Sequence, residues 1–514
     1  MINEPHIAFH QLLNSLASYP TRTALFDKED NAYSYQELKG MIKSSVTQLE
    51  KKGIQKGDFV LIAVPMSVEL YAILEAVFAK GATAIFLDPW MKGKKMDQII
   101  RFVQPKLFIV TRKLSRVTWL LPSTWSIKKW RLKTIDAIAG DFPIADIQDA
   151  DDALITFTSG TSGTSKGANR SYAFIHAQEN TLSHHLSAAE PSVDFTNFPM
   201  VGLVNFALGN TVVIPKMNFM KIHKANEAII VKQIEDRGVT RLIVSPALLR
   251  KILNHLPAET RVKEVITGGA PVTVPLVKKA VQGFPAIAFQ AIYGSTEAEP
   301  IAIARFKDII EQNEDPLKGV YVGKPVSDIR IKIIQPTDGI VKTDQVQQLE
   351  LKQDEIGEIL VTGDHVNKSY YNNEKAFLEN KVKDATGEIW HRTGDIGYLT
   401  SDGLFLVGRQ HRIMQYEGKS IHPYPIEQLV ESQFNLPDNG YVQDEKGEFI
   451  LYYHSLHTTD PEAIKAAFEA ANYPLDVLIR MHIPLPRDAR HGSKLQVDQL
   501  KIPRKKQALI RFSS

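Results

Sequence analysis

The sequence predicts an α/β protein. It reads as a large N-terminal body of doubly wound α/β sheets, a small β-rich subdomain, and a small mobile α+β domain at the C-terminus. Three observations carry this. Short apolar runs alternate with helix-spaced segments between residues 58 and 111, and again between 226 and 292; parallel strands with crossover helices impose that pattern. From Gly319 the texture changes to short alternating strands between turn signals. Past Gly408 it changes once more, to a mixed unit. At 514 residues the chain outgrows a single core. The expected boundaries are 1–409 for the body, with its β-rich part at about 319–409, and 410–514 for the C-terminal domain.

Taken in order, residues 8–19 read as a helix, Ala32 to Tyr35 as a short strand, and the following stretch to about Lys52 as a helix. Asp58 to Val64 is a buried-strand run. Ser67 suits the N-cap of a helix whose apolar positions Leu70, Ile73, Leu74, Val77 and Phe78 follow helical spacing. Gly81 ends it and Ala82 to Leu87 is the next strand, a strand–helix–strand unit that implies parallel pairing. Met96 to Val103 and Leu107 to Thr111 repeat the alternation. Leu154 to Phe157 reads as a strand feeding a polar stretch, after which Asn169 or Ser171 caps a helix through Gln178. Asn226 to Gly238, Pro246 to Leu256 and Val274 to Gly283 read as helices. Arg241 to Ser245, Val262 to Thr267 and Ala286 to Ile292 read as strands between and after them. In such bodies ligands sit off the strand C-termini. Arg330 to Ile334, Glu358 to Thr362 and Gly403 to Val407 are the strands of the β-rich part, and a hinge is placed at Gln410 to Arg412.

Composition excludes several classes. Basic and acidic residues number 61 and 58, too balanced for nucleic acid. There is no cysteine, so disulfides, thiolate metal sites and cysteine nucleophiles are excluded. The N-terminus lacks a basic-then-apolar signal pattern, and no apolar run approaches the ~18 residues of a spanning helix, so a cytoplasmic protein without a membrane span is expected. The stretch Arg116 to Lys133 places Trp119, Trp125 and Trp130 among basic residues. It reads as a surface loop packing its own aromatics, because Pro122 interrupts any helix; contact with a membrane surface is the other reading.

Six clusters carry chemistry. The first is Thr158-Ser159-Gly160-Thr161-Ser162-Gly163-Thr164-Ser165-Lys166-Gly167. Its glycines and hydroxyls let backbone N–H groups converge, and with a lysine the spot suits phosphate. It fails the Walker A pattern because no glycine precedes Lys166, and the nucleophile elbow because Thr164 stands where glycine is needed. By itself it reads equally as a flexible linker. The second is Tyr293-Gly294-Ser295-Thr296-Glu297, where an aromatic ring, hydroxyls and a carboxylate can stack a flat ring, bind phosphate and ligate Mg²⁺. The third is Gly268-Gly269-Ala270-Pro271, whose small residues permit close backbone approach. The fourth is Arg392-Thr393-Gly394-Asp395, with Asp395 a candidate ribose-diol acceptor. Gly408-Arg409 and Arg490-His491-Gly492-Ser493-Lys494 complete the set; Lys494 is a candidate cation for a developing charge.

The order and spacing of these six resemble the adenylate-forming superfamily of acyl-CoA synthetases, peptide-synthetase adenylation domains and firefly-type luciferases. The resemblance runs from Tyr33-Ser34-Tyr35-Gln36-Glu37-Leu38 to Lys494. It implies an AMP-forming acid ligase. Thr158, Ser159, Gly160, Thr161, Ser162, Gly163, Thr164 and Lys166 would grip the ATP β- and γ-phosphates. Tyr293 would stack on adenine beside Gly294 and Ser295, and Gly269, Ala270 and Pro271 would line the adenine and acyl pocket. Thr296 would meet the α-phosphate and Glu297 would hold Mg²⁺. Asp395 and Arg409 would bind the ribose region, and Lys494 would bridge α-phosphate and substrate carboxylate. A carboxylate attacking a phosphate brings two like charges together, and Lys494 with Mg²⁺ offsets that repulsion.

His411 matches the usual hinge position, commonly Asp or Lys. Ser165 replaces the usual Pro before the loop lysine. Gln415 replaces a common Lys in the segment leading to Gly418, which weakens a CoA step. Phe198-Pro199-Met200 through Asn205-Phe206-Ala207-Leu208-Gly209, Thr211 to Pro215, Ser245 to Leu249, Tyr293 to Pro300 and Asp488 to His491 resemble the olefin-biosynthesis β-lactone synthetases. The apolar strip Met200, Val201, Leu203, Val204 then suits a hydrophobic acyl tail. The implied reaction is ATP-dependent activation of a fatty or other hydrophobic carboxylic acid to acyl-AMP, followed by transfer to CoA. β-Lactone formation from a β-hydroxy acid, loading of a separate acyl carrier protein, and non-catalytic nucleotide binding are the alternatives. The chain ends about 20 residues after Lys494, so no fused carrier domain is expected.

Overall fold

The computed structural model describes residues 10–88, 91, 93–158, 166–187, 190–455, 457, 459–487, 495–500 and 508–512. Two large sheets form the body. Strands such as Phe59–Ala63 and Arg241–Val244 are almost wholly apolar because helices cover both of their faces.

One sheet has seven strands. Its five parallel members are Asp152–Thr158, Thr83–Leu87, Phe59–Ala63, Leu107–Thr111 and Lys128–Leu132, in that spatial order. Lys166–Ser171 folds back antiparallel on Asp152–Thr158, with Thr158 opposite Lys166. The polar stretch therefore joins two antiparallel strands, and only the first of them is legible as a strand in the sequence. Asn169 lies within the second strand; Ser171 is the cap, accepting from the Phe174 N–H at 3.2 Å, and the helix runs Tyr172–Leu186. Ser67 caps its helix as expected, accepting from Leu70 N–H at 3.3 Å.

The other sheet has fourteen strands. Val193–Thr196, Arg241–Val244, Glu264–Gly268 and Ala288–Ser295 are parallel neighbours. The sheet then turns antiparallel through Ala298–Arg305 and Val320–Pro325 into Leu404–Arg409, Ile389–Leu399, Gly357–Thr362 and Arg330–Ile334. The β-rich part is thus continuous by hydrogen bonding with the parallel part. Ala288–Ser295 is longer than its apolar run because Tyr293 and Ser295 still pair, with Ala302 and Ala298.

Residues 410–512 build a separate core on the helices Pro423–Phe434 and Pro461–Ala470 and a four-stranded sheet. Gln410–Arg412, the expected hinge, is a single 3₁₀ turn. Among the described residues, no helix is long and apolar enough to cross a membrane.

The tryptophan-rich stretch departs from its expected packing. Lys128–Leu132 is a strand, and only Trp130 packs against the core. Trp119 and Trp125 are 65% and 66% exposed. Thr118, Leu121, Thr124 and Ile127 take the inward positions instead.

Candidate active site

The parallel strands of the larger sheet end in a row of unsatisfied hydroxyls. Ser245 follows its strand, Thr267 is near the end of its own, and Ser295 ends the third; each hydroxyl is buried with no hydrogen-bond partner among the described residues. Such groups cost about 1–3 kcal/mol each unless something binds them. They mark the carboxyl edge of the sheet, where ligands of open α/β folds sit.

Above this edge, sequence-distant residues meet. The Tyr293 hydroxyl donates to Asp395 Oδ2 at 2.7 Å. Arg409 stands opposite Asp395 in the strand register and its guanidinium lies 3.0 Å from Oδ1. Burial, then Asp395, pushes the Tyr293 phenol well up. Asp395 in turn strengthens the Arg409 cation. Thr393 orients the carboxylate by accepting from the Asp395 N–H at 3.0 Å. Arg392 faces the other way: it is paired with buried Glu358 at 2.6 Å and donates to the Thr337 and Gly339 carbonyls.

Gly269 has φ of 76°, a conformation that glycine tolerates. A Cβ on Gly294 would lie 2.8 Å from the Ala298 carbonyl oxygen, so the Ser295–Ala298 turn needs a glycine there. Glu297 is on that turn, which is the tip of an antiparallel hairpin.

A second group gathers around Glu297. Tyr370 donates to Glu297 Oε1 at 3.2 Å, and the Asn367 N–H donates to the Glu297 carbonyl at 2.6 Å. Arg170 donates to the Thr296 carbonyl at 2.8 Å. Lys381 is 2% exposed; its ammonium donates to the Asn367 carbonyl and lies 5.3 Å from the Tyr370 ring centre. Lys166 donates to Asn380 Oδ1 at 2.8 Å. Burial pushes the Glu297 carboxyl up, but His391, Lys381, the Tyr370 hydroxyl and Arg170 together hold it below its ordinary value. His391 is itself pushed down to about 3, first by burial and then by Lys381. Its pull on Glu297 is therefore exerted only in acid, where the carboxyl itself titrates, and at neutral pH the remaining attraction comes from Lys381 and Arg170. Burial pushes Lys381 down to about 7, against the pull of Glu297. Burial also lowers Lys166, with Glu297 and Glu379 opposing.

Excess cation around one carboxylate is a poor arrangement for an empty core and a good one for a polyphosphate. Among the described residues no three His, Asp or Glu side chains cluster to hold a metal by themselves.

Residues 12–371 match the AMP-binding enzyme model. The chain belongs to the AMP-binding enzyme family. It is an AMP-forming acid ligase. Two olefin β-lactone synthetases are similar to it. The one from Xanthomonas campestris is 29% identical over 432 residues, 79% of this chain and 76% of the relative. That from Stenotrophomonas maltophilia is 30% identical over 408 residues, 74% and 73%. A probable CoA ligase of Humulus lupulus is 25% identical over 82% of this chain and 78% of its own. The fold matches O-succinylbenzoate coenzyme A synthetase of Bacillus subtilis in complex with AMP, with a TM-score of 0.78 at 22% identity over 98% of this chain and 99% of that one.

Within this AMP-binding fold the sequence-derived residues divide. Asp395 contacts both Tyr293 and Arg409, and Thr296, Glu297 and Lys166 belong to the second group. Gly269 to Pro271 follow the strand beside that of Tyr293. Thr158 ends its strand. Met200, Val201, Leu203 and Val204 lie on the helix Pro199–Ala207. Val201 and Val204 join a small apolar cluster with Leu182, Leu186, Ile243, Ile266 and Ile292 at the strand ends, whereas Met200 and Leu203 pack on the large core of the other sheet. His411 is exposed on its turn. Ser159 to Ser165 and Lys494 lie outside the described residues. Arg170, Asn367, Tyr370, Lys381 and His391 were not found from sequence. Arg170, three residues beyond Gly167, is the one that a reading of the loop as a returning hairpin would have flagged.

Proposed function

We propose that this ligase activates a hydrophobic carboxylic acid as its acyl-adenylate, and that the acid carries a β-hydroxyl which then closes on the activated carbonyl. The contact of Tyr293, Asp395 and Arg409 beside the cation-rich pocket of Glu297 carries the first half. In this reading Asp395 and Arg409 receive the ribose, and Tyr293 and the Gly269–Pro271 loop flank the adenine. Thr158 to Thr164 and Lys166 hold the β- and γ-phosphates, with Lys381 and Arg170 adding charge. Glu297 holds Mg²⁺, which neutralises phosphate charge when bound. Thr296 orients the α-phosphate. Lys494 steadies the substrate carboxylate as it attacks, and pyrophosphate leaves.

Val201 and Val204, with the cluster at the strand ends, supply an apolar seat for the acyl chain. The similarity to olefin β-lactone synthetases supports the second half. There the hydroxyl oxygen bonds to the acyl carbon, the bond to AMP breaks, and the hydroxyl proton is released. Transfer to CoA is the second reading, favoured by the similarity to a probable CoA ligase.

Pyrophosphate exchange with a panel of plain and β-hydroxylated fatty acids, with and without CoA or an acyl carrier protein, tests this. AMP release from β-hydroxy acids without either acceptor supports ring closure. Release that requires CoA or the carrier replaces it with thioester formation. Lys494→Ala should lose roughly 10²–10³-fold or more in exchange, as for loss of one electrostatic stabiliser. Exchange at the native rate would remove Lys494 from its role.

A further inference from the structure

The crossover from Thr111 to Lys128 presents its largest apolar side chains to water. Leu114, Val117, Trp119, Leu120 and Trp125 are all exposed. Cover for the sheet would require the reverse arrangement. The backbone beneath is pinned. Thr124 Oγ1 donates to the Thr118 and Leu121 carbonyls at 3.0 and 2.9 Å. Ser123 donates through its N–H and hydroxyl to Asp97 at 2.8 and 2.7 Å. Trp125 Nε1 donates to the Trp119 carbonyl at 3.1 Å, so that indole's polar group is satisfied and its ring is left for an apolar medium.

Charge says which medium. Residues 112–133 contain Arg112, Lys113, Arg116, Lys128, Lys129, Arg131 and Lys133 and no acidic residue, whereas the whole chain is only +3. A second copy of so basic a face would repel this one. Aromatic rings at the level of cationic side chains suit the headgroup boundary of a bilayer, where an anionic leaflet attracts each Lys or Arg near it. The crossover leaves the sheet at the carboxyl end of Leu107–Thr111, which runs parallel, through two intervening strands, to the strand leading into the polar loop. The attachment therefore starts from the same sheet edge as the nucleotide loop.

We propose that the Leu114–Trp125 face docks this enzyme onto an anionic phospholipid surface, with Trp119, Leu120 and Trp125 entering the headgroup layer. The full chain should float with vesicles of equimolar phosphatidylcholine and phosphatidylglycerol, less with phosphatidylcholine alone, and less at high salt. Tryptophan emission should shift to the blue and be quenched by brominated acyl chains. The double variant Trp119→Ser, Trp125→Ser should bind those vesicles about tenfold or more weakly while keeping pyrophosphate exchange and melting temperature. Equal flotation of both proteins, or no binding by the wild type at low salt, overturns the proposal. So does a wild-type dimer that the variant converts to monomer without any vesicle binding.

Discussion

Asp395 and Arg409 face each other across two antiparallel strands, and the Tyr293 hydroxyl closes on the same carboxylate from a third. The cation and the phenol use opposite oxygens, so Asp395 is held in one orientation before any nucleotide arrives.

Removing the phenol tests that preorganisation. Tyr293→Phe should raise the KM for ATP about three- to tenfold in pyrophosphate exchange, with kcat less affected, since a hydrogen bond to a charged group is worth roughly 1.5–3 kcal/mol at most. Arg409→Ala should cost more, because it leaves a buried carboxylate without its cation. A Tyr293→Phe protein with unchanged KM and a lowered kcat would contradict the ribose-side placement.

Lys381 separates function from stability. Its folded pKa of about 7 lies below its ordinary value of 10.5 because of burial. Between those pH values the folded chain binds fewer protons than the unfolded one, so this group's destabilising effect is full below pH 7 and fades as pH rises toward 10.5. Lys381→Met should therefore raise the melting temperature most in mild acid, yet lower ATP–pyrophosphate exchange by about ten- to a hundredfold. Parallel loss of both would reduce Lys381 to a structural residue.

Glu179 has the opposite sign. It and Glu75 are 7% and 5% exposed. Burial pushes Glu179 up to about 8, and burial with Glu179 pushes Glu75 well up. The folded chain retains a proton that the unfolded chain releases above about 4.5, so stability falls as pH rises from there to 8. Glu179→Gln should raise the melting temperature by about 2–5 °C near pH 8 and change little near the acid end of that window. Calorimetry at both ends checks it; a uniform shift would mean the effect is packing.

Glu431, on the helix Pro423–Phe434 of the C-terminal unit, is pushed up to about 7 by burial, opposed by a hydrogen bond with Thr273 and by Arg250 and Arg487. Thr273 and Arg250 belong to the body. The folded chain therefore retains a proton here that the unfolded chain releases above about 4.5, so this group's contribution to stability falls as pH rises from there to 7. Glu431→Gln should flatten that dependence. Protease cleavage at 410–412, followed against pH, reads it out; identical profiles for both proteins would discount Glu431 as the titrating group.

Local chemistry made much of this legible in sequence. Ser67 is legible as a cap because a hydroxyl before an apolar periodic run meets the free N–H groups of a first turn. Val274–Gly283 and Leu107–Thr111 fall where their periodicity places them. Strands without an apolar run were missed: Lys128–Leu132 and Lys166–Ser171 are read from their partners' hydrogen bonds rather than from their own composition. The stretch around Trp119 and Trp125 reads in sequence as a self-packing surface loop because Pro122 interrupts any helix, and the inward turn of Thr118 and Thr124 leaves both indoles outside.

The sequence by itself determined the α/β class and the acid-ligase family, and it named candidate nucleotide residues, because each of those signals lies within a few adjacent positions. The tertiary structure alone decided that Tyr293 and Arg409 share Asp395, and that Lys381, Tyr370 and Arg170 crowd Glu297. It alone turned the Trp119 face to solvent. Those relations join residues up to about two hundred positions apart, and their energies come from burial and charge separation in three dimensions, which no local pattern encodes.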